Sequence, residues 1–243
     1  MINPGPARAL GELAARAQEM LSAYQPGYET SYNDLRSTTL ARPQPAVDPL
    51  NVSGPEGAYF LGLDQTGKSF YSRDGSFALT SGALTFPDGS AVLGYPAGGA
   101  ANPGPQPLRI NPVDAALGRA DDAHVEADGT VAYSRAVVDP KTGKAAKERV
   151  VAGRIALARF PAGTQMQRLT PTHVAAPAGI AASVGKPSDG TFGALATQSR
   201  DLGSIDFEAG LDQLREAFLA LDAMSASGQA EANESKAALD LIK

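Results

Sequence analysis

The stretch YSRDGSFALTSGALTFPDGSAVLGY, residues 71–95, decides the fold class of this chain. It contains short runs of strand-forming residues separated by the turn dipeptides Asp74-Gly75, Ser81-Gly82 and Asp88-Gly89. Each dipeptide supplies a residue that accepts a positive φ, which a tight hairpin turn requires. Apolar runs interrupted by turn signals at such short intervals are typical of consecutive antiparallel strands. The stretch therefore predicts a β-meander.

The composition limits the class of protein. The 243 residues are enough for a sizeable core and include no cysteine and no tryptophan, which excludes disulfides, thiol catalysis and zinc–thiolate sites. The formal net charge is -5, and no basic cluster indicates nucleic acid or an anionic membrane as a partner. The first thirty residues carry charges among their apolar positions, so we expect neither a Sec-type signal peptide nor membrane insertion.

Strand patterns on both sides of the meander predict a central antiparallel β domain, meander-like or barrel-like, at residues 54–160. Asp128-Gly129 marks a further hairpin turn within it. We expect residues 27–53, which contain several X-Pro steps, to be an extended linker. Residues 161–205, rich in Gly, Pro, Ala and Thr, are predicted to be an extended return segment. The predicted fold class is α+β, with this β domain flanked by a helix at each end of the chain.

The two chain ends, residues 1–26 and 206–243, show the apolar spacing of coiled-coil helices. Apolar or small residues recur three and four positions apart, and Asp206 with Glu208 suits the start of the second helix. The seam is small between residues 225 and 235 and buries little area, so we expect the second helix to need a partner helix. The predicted assembly seams consist of Leu10, Leu13, Ala17, Met20 and Tyr24 in the first helix and Leu211, Leu214, Phe218, Leu221, Ala232, Leu239 and Ile242 in the second.

Several sequence motifs resemble those of the flagellar rod and hook family of bacterial axial proteins. Residues 71–77, followed by Asp88-Gly89, are similar to the motif that marks the first β-domain of that family. Residues 125–131 are similar to its Val-x-x-Asp-Gly-Thr-Val phrase, and residues 151–160 to its Val-x-Gly-x-Ile-x-Leu-x-x-Phe strand. In place of the family's Asn-rich N-terminal motif, this chain has Gln25-Pro-Gly-Tyr-Glu-Thr-Ser-Tyr-Asn33.

The resemblance implies a structural role, as a subunit of the flagellar basal-body rod or the proximal hook. In that family the terminal helices pair as a coiled coil and pack into the rod core, while the β domain faces outward. The implied partners are copies of the chain, neighbouring rod or hook proteins and the type III export apparatus. The implied location is the rod that spans the periplasm. Under this interpretation the chain is not an enzyme and has no cofactor.

Residues 62–69, GLDQTGKS, match the P-loop pattern letter for letter. A P-loop requires a helix after its Lys-Ser pair, because the helix N-terminus faces the phosphates. Here residues 69–75 are predicted to be a strand and a turn, and Asp64 would add negative charge where phosphate should bind. The pattern therefore predicts a hairpin turn, and an enzyme that binds nucleotide is a third interpretation.

Asp122, His124, Glu126 and Asp128 alternate along a predicted strand and would project from one of its faces. Such a set could hold a divalent cation, although the same alternation is typical of the solvated face of an antiparallel sheet. The alternative function is therefore a soluble or secreted β-domain binding module with a metal or ligand face at residues 122–128. His173 has no acid or serine beside it in the sequence, so no catalytic triad is predicted.

Overall fold

The chain divides into two units. The first, which we call the terminal unit, comprises Met1–Ala23, Tyr32–Thr38 and Ile205–Lys243, and the second, the β unit, comprises Tyr24–Ser31 and Thr39–Ser204. The computed structural model describes residues 6–22, 24–30, 43–98, 104–117, 120–138, 144–203, 205, 208, 210–220, 222–223 and 226.

The structure corrects the predicted α+β class. Strands account for 40% of the protein and helices for 18%, so the protein is mainly β. The predicted coiled-coil-type assembly region is wrong, since the described chain ends contain only short helices. One of them, α1, spans Pro6–Leu21, and residues 210–220 are also helical. Helices this short depend on tertiary packing, because heptad spacing by itself does not supply enough buried area. In the described part of the chain, no helix has the length and apolar character needed to cross a membrane.

The described residues of the β unit form seventeen strands and one short helix, α2, at Pro112–Ala116. The strands are β1 Pro43–Pro45, β2 Val52–Ser53, β3 Ala58–Leu63, β4 Ser69–Ser72, β5 Ala78–Thr80, β6 Ala83–Thr85, β7 Ala91–Pro96, β8 Gln106–Pro107, β9 Asp121–Val125, β10 Thr130–Val138, β11 Ala145–Ile155, β12 Leu157–Arg159, β13 Gln167–Arg168, β14 His173–Ala175, β15 Ser183–Gly185, β16 Ala196–Thr197 and β17 Ser199–Asp201.

Thirteen of these strands form one curled antiparallel sheet. Its main order is β13-β14-β4-β3-β7-β11-β10-β9. β12 pairs with β3 and β15 pairs with β12, and β5, β6 and β8 are joined to the sheet through β7. Two further pairs, β1 with β17 and β2 with β16, join segments that the sequence analysis treated as a linker and a return segment. These strands are only two or three residues long, and such short strands carry no recognisable period in the sequence.

The predicted meander is present in β5, β6 and β7, which pair in succession. Ser81 and Gly82 both have a positive φ between β5 and β6, and Gly89 has one between β6 and β7. Gly75 differs from the prediction, because it does not adopt a positive φ. A methyl group there would overlap the carbonyl oxygen of Val52, so glycine is needed at this position for close approach between two backbone segments.

The sheet has a core on each face. The main cluster includes phenylalanines in edge-to-face contact, with ring centroids 5.0 Å apart for Phe60 and Phe77 and 5.4 Å apart for Phe77 and Phe86. The second cluster contains Leu61, Leu93, Ala156 and Ala158. The predicted alternation in residues 151–160 is confirmed, since Ile155 and Leu157 belong to the main cluster. Burial on both faces explains why β3 is an almost continuous apolar run.

His173 belongs to the buried aromatic region. Its ring stacks on Phe70 at a centroid distance of 3.7 Å, and its Nε2 lies 3.7 Å from Oδ2 of Asp88. Burial lowers the pKa of His173, and the nearby Asp88 and Asp64 only partly oppose this effect. The imidazole is therefore held neutral against the aromatic rings.

We expect the free energy of unfolding to decrease as the pH falls below about 6.5, the ordinary pKa of histidine. Below that pH the unfolded chain binds a proton at His173 before the folded protein does, so acid favours unfolding until the lowered folded-state pKa is passed. The slope for this one group cannot exceed about 1.4 kcal/mol per pH unit. Urea unfolding at pH 7.5 and 5.5 measures it. His173→Phe should reduce the slope in this window, and an unchanged slope in that variant would assign the pH dependence to other groups.

Candidate functional site

The predicted seam of the first helix is divided between two faces of α1. Leu13 and Met20 are buried, whereas Leu10 is 51% and Leu21 is 77% exposed. Leu10 and Leu21 lie about three turns apart at 3.6 residues per turn, so they share a face that is adjacent to that of Leu13 and Met20. Tyr24 lies beyond the end of α1 and is exposed. Ala17 is half-buried.

Residues 210–220 show the same division. Leu214 is half-buried, whereas Leu211 and Phe218, about two turns apart on one face, are 41% and 58% exposed. Leu219 is exposed as well. Arg16 Nη1 in α1 donates to Oε1 of Gln213 at 3.3 Å, which joins the two helical segments within the terminal unit. The remaining predicted seam residues, Leu221, Ala232, Leu239 and Ile242, lie outside the described residues.

We call Leu10, Leu21, Leu211, Phe218 and Leu219 the exposed apolar set. Burying one such side chain is worth about 1.5–3 kcal/mol, so five of them on short helices represent a substantial driving force for association. Single exposed apolar residues are common on protein surfaces, but Leu10 with Leu21 and Leu211 with Phe218 each share one helix face, which makes these two faces candidate contact surfaces. The sequence analysis predicted three of the five as seam residues. It missed Leu21 and Leu219, because it used strict heptad spacing, and the apolar face of a helix can also include positions next to the heptad seam.

A buried ion pair in the β unit joins two segments that are far apart in sequence. Arg73 and Asp201 are 6% and 2% exposed, and Arg73 donates to Oδ2 of Asp201 through Nη2 and, at 2.8 Å, through Nε. Arg73 follows β4 and Asp201 ends β17. The pair therefore fixes the end of β17 to the turn after β4. We call it the junction pair.

Residues 24–30 also reach the junction pair. The amide of Gly27 donates to the carbonyl oxygen of Asp201 at 3.2 Å, and a side chain at Gly27 would overlap the backbone of Asp74. Tyr28 is buried, with the Arg168 guanidinium 5.0 Å above its ring and Arg168 Nη2 donating to its hydroxyl at 3.1 Å. The segment is therefore packed tightly onto the β unit.

The segments that contact the junction pair within the β unit lie close in sequence to the residues at which the chain changes from one unit to the other. The passages occur after Ala23, Ser31, Thr38 and Ser204. The segments beside these passages are 24–30, β1 and β17, and β1 pairs with β17 in register from Pro43 opposite Asp201. Within the described part of the β unit, Asp201 of the junction pair thus holds residues 24–30 through its carbonyl oxygen and β1 through the pairing of β1 with β17. Sequence reasoning placed Arg73 in a turn and gave it no role.

Asp74 next to the junction pair is buried as well. Burial raises the pKa of its carboxyl group, and the negative charge of Asp88 raises it further, while the amide of Ser76, which donates to Oδ1 at 2.9 Å, opposes the shift. Ser72 Oγ accepts from the amide of Asp74 at 3.0 Å and donates to the carbonyl oxygen of Thr172 at 2.7 Å. All three side chains of Ser72-Arg73-Asp74 therefore form hydrogen bonds that stabilise this turn.

The P-loop-like residues 62–69 run from the end of β3 through the turn at 64–68 to the start of β4, so a strand follows Lys68 as predicted. Oδ1 of Asp64 accepts from the amides of Thr66 and Lys68, each at 2.8 Å, and from Oγ1 of Thr66 at 2.7 Å. The hydrogen bond from the Thr66 hydroxyl is the main reason that the pKa of Asp64 is lowered. The Asp64 carboxylate thus accepts hydrogen bonds from amides of the kind that would bind phosphate in a P-loop.

The alternating residues 122–128 engage basic partners on β11. Lys147 Nζ lies 2.8 Å from Oδ2 of Asp122, and Arg149 Nη2 lies 2.5 Å from Oε1 of Glu126. The hydrogen bond from Lys147 lowers the pKa of Asp122. Oδ1 of Asp128 accepts from the amide of Thr130 at 3.0 Å in the turn before β10. Across the described residues, no three His, Cys, Asp or Glu side chains form a group that could hold a metal ion.

Comparison with known proteins adds no assignment. No protein-family model matches the sequence, and no curated protein matches it.

Proposed function

We propose that this chain is a structural subunit of the bacterial flagellar basal-body rod or proximal hook, and that it assembles through its terminal helices. The single observation that carries the proposal is the exposed apolar set on those helices. It gives a physical reason for association at the chain ends, where the resemblance in the sequence implies it. The contact uses faces that remain exposed on each subunit and does not need a coiled coil inside the subunit.

The junction pair supports the same role. A subunit of a shaft that transmits torque must pass force from one part of its chain to another without local unfolding. Buried hydrogen-bonded ion pairs are rigid and resist separation, because each partner left alone would be a buried charge. Arg73 and Asp201 join the turn after β4 to the end of β17 within the β unit by such a pair.

The partners in this proposal are copies of the chain, neighbouring rod or hook proteins, and the type III export apparatus that delivers them. The location is the rod that spans the periplasm. The role requires no catalysis and no cofactor.

The double replacement Leu211→Asp with Phe218→Asp tests the proposal. Both side chains are exposed, so the fold should be retained. Leu211 is 41% and Phe218 is 58% exposed, so the two replacements together forfeit the burial of about one full side chain on assembly, about 1.5–3 kcal/mol. At 1.4 kcal/mol per factor of ten, the critical concentration for polymerisation should rise at least about tenfold. Light scattering and electron microscopy of the purified chain measure assembly, and swimming of bacteria that carry the variant measures function.

The matched control is Leu169→Asp with Val184→Asp, which replaces two exposed apolar side chains of the β unit. This control should assemble and support swimming as the unmodified chain does. Normal polymerisation and swimming with the Leu211 and Phe218 replacements would refute the proposed assembly surface, provided that circular dichroism shows the β structure intact in both variants.

A further inference from the structure

A short hairpin at the end of the main sheet order contains the buried His173. The hairpin consists of β13, β14 and the turn at residues 169–172, and we call it the histidine hairpin. Two residue pairs join β14 to β4, His173 opposite Ser72 and Val174 opposite Tyr71. Because so few pairs hold it, the histidine hairpin opens at a lower free energy than the sheet as a whole.

His173 closes the turn of this hairpin through its backbone. Its carbonyl oxygen accepts from the amide of Leu169 at 2.9 Å and from the amide of Thr170 at 3.2 Å. Its own amide donates to Oγ1 of Thr170 at 3.0 Å. The preceding residue, Thr172, accepts through its carbonyl oxygen from Ser72 Oγ at 2.7 Å. A displacement of His173 therefore disturbs both the turn and its contact with β4.

Residues 24–30 are attached to the same hairpin. The amide of Glu29 donates to the carbonyl oxygen of Pro171 at 2.8 Å. Arg168 of β13 donates to the Tyr28 hydroxyl at 3.1 Å and lies 5.0 Å above the Tyr28 ring. The amide of Gly27 instead donates to Asp201, outside the hairpin. Opening of the hairpin therefore breaks the attachments of Tyr28 and Glu29 and leaves that of Gly27.

The surroundings of the His173 side chain suit a neutral imidazole. The ring is buried, stacks on Phe70 at a centroid distance of 3.7 Å and meets Phe86 at 5.9 Å. Oδ2 of Asp88 lies 3.7 Å from Nε2, which is beyond hydrogen-bond distance. A proton taken up in this position would place a positive charge among aromatic rings without a hydrogen bond from Asp88 to stabilise it.

Several charged residues lie on the elements packed against the histidine hairpin. They are Asp88 in the turn between β6 and β7, Asp64 in the turn between β3 and β4, Arg73 and Asp74 after β4, Arg168 in β13, and Glu29 in residues 24–30. Asp88 and Asp64 favour the protonated imidazole, but burial opposes it more strongly, so the pKa of His173 is lowered. In an open hairpin the imidazole is in water and has its ordinary pKa of about 6.5. Proton uptake therefore favours the open hairpin.

We propose that His173 is a pH-sensitive switch: when its imidazole takes up a proton, the histidine hairpin opens and residues 28–30 are released from the β unit, while Gly27 stays attached. The opening is local, so the other strands of the sheet remain paired. With a titration midpoint near 6.5 in the open state, the ratio of open to closed hairpin can rise by at most about tenfold between pH 7.5 and 5.5. The inference is independent of the flagellar role.

Amide hydrogen exchange of the full-length chain, followed by NMR at pH 7.5 and 5.5 and corrected for the intrinsic exchange rate, tests the switch. The reporter amides are those of Glu29, Leu169 and Thr170. The reference is the amide of Ile155, which donates to the carbonyl oxygen of Gly129 at 2.8 Å. At both pH values the reporter amides should be less protected than the reference, as local opening requires. Their protection should fall at least about threefold from pH 7.5 to pH 5.5.

Two variants identify the titrating group. His173→Phe keeps an aromatic ring but cannot bind a proton, so the reporter amides should remain protected at pH 7.5 and lose their pH dependence. Asp88→Asn removes the carboxylate that favours protonation of the folded protein, so the pH dependence should be retained or become larger. NMR of the imidazole C–H signals follows His173 directly. The chain has two histidines, and the His173 signal is the one missing from His173→Phe.

Each measurement can overturn the proposal. Equal protection of the reporter amides and of Ile155 would mean that the hairpin opens only when the whole unit unfolds. A pH dependence that persists in His173→Phe, or that disappears in Asp88→Asn, would assign the titration to an acidic residue. A His173 signal that titrates at or above about 6.5 in the unmodified chain would remove the driving force. If circular dichroism shows that His173→Phe does not fold, this titration and the comparison with Ile155 still decide.

Discussion

Asp201→Ala is expected to lower the free energy of unfolding of the β unit by about 3–5 kcal/mol, because it leaves the buried Arg73 guanidinium without a carboxylate. The two side chains are almost fully buried, and among the described residues Arg73 Nη1 has no hydrogen-bond partner. For a chain of this size, about 2–4 °C per kcal/mol corresponds to a fall in melting temperature of roughly 6–20 °C. Urea unfolding and calorimetry measure the two quantities.

Two controls separate the buried charge from simple loss of contacts. Replacing both partners with apolar residues, Arg73→Met with Asp201→Leu, should recover most of the lost stability, because no charge then stays buried. Glu126→Ala breaks an exposed ion pair with Arg149 and should cost less than about 1 kcal/mol. A loss for Asp201→Ala no larger than that for Glu126→Ala would mean that the junction pair does not stabilise the fold.

Gly75→Ala is expected to destabilise the β unit by about 3 kcal/mol, at the upper end of overpacking effects. The added methyl group would overlap the carbonyl oxygen of Val52 and lie 2.9 Å from its carbonyl carbon and 3.0 Å from the Phe60 ring. The backbone cannot easily move aside, because the amide of Val52 donates to the carbonyl oxygen of Gly75 at 3.0 Å. Chemical unfolding of the variant measures the loss.

Gly104→Ala is the matched control. Apart from its two chain neighbours, no atom of the described residues lies within 4 Å of a methyl group at Gly104, and the backbone there is not left-handed, so the stability should change by less than about 1 kcal/mol. If Gly75→Ala is as stable as Gly104→Ala, the close approach between Gly75 and Val52 does not explain the glycine.

The sequence by itself determined the features that depend on near neighbours. Ser81-Gly82 and Asp88-Gly89 specify their turns, because a positive φ is a property of one or two residues. The strand after Lys68 followed from the residue types in the next four positions. The two faces of residues 151–160 followed from alternation alone, since side chains of a strand point in opposite directions in turn.

Only the tertiary structure decided which of several equivalent patterns is buried and what it contacts. Arg73 pairs with a residue 128 positions away, and no local pattern indicates that distance. The heptad spacing of α1 marked an apolar side of the helix, but the split between buried Leu13 and exposed Leu10 depends on how much of that side neighbouring residues cover. The dipeptide Asp74-Gly75 has the same residue types as the hairpin turn Asp88-Gly89, yet Gly75 is needed for close approach to Val52 and not for a positive φ. Short strands such as β1 and β17 exist because each supplies the other's hydrogen bonds, and this mutual dependence has no counterpart in the sequence of either one.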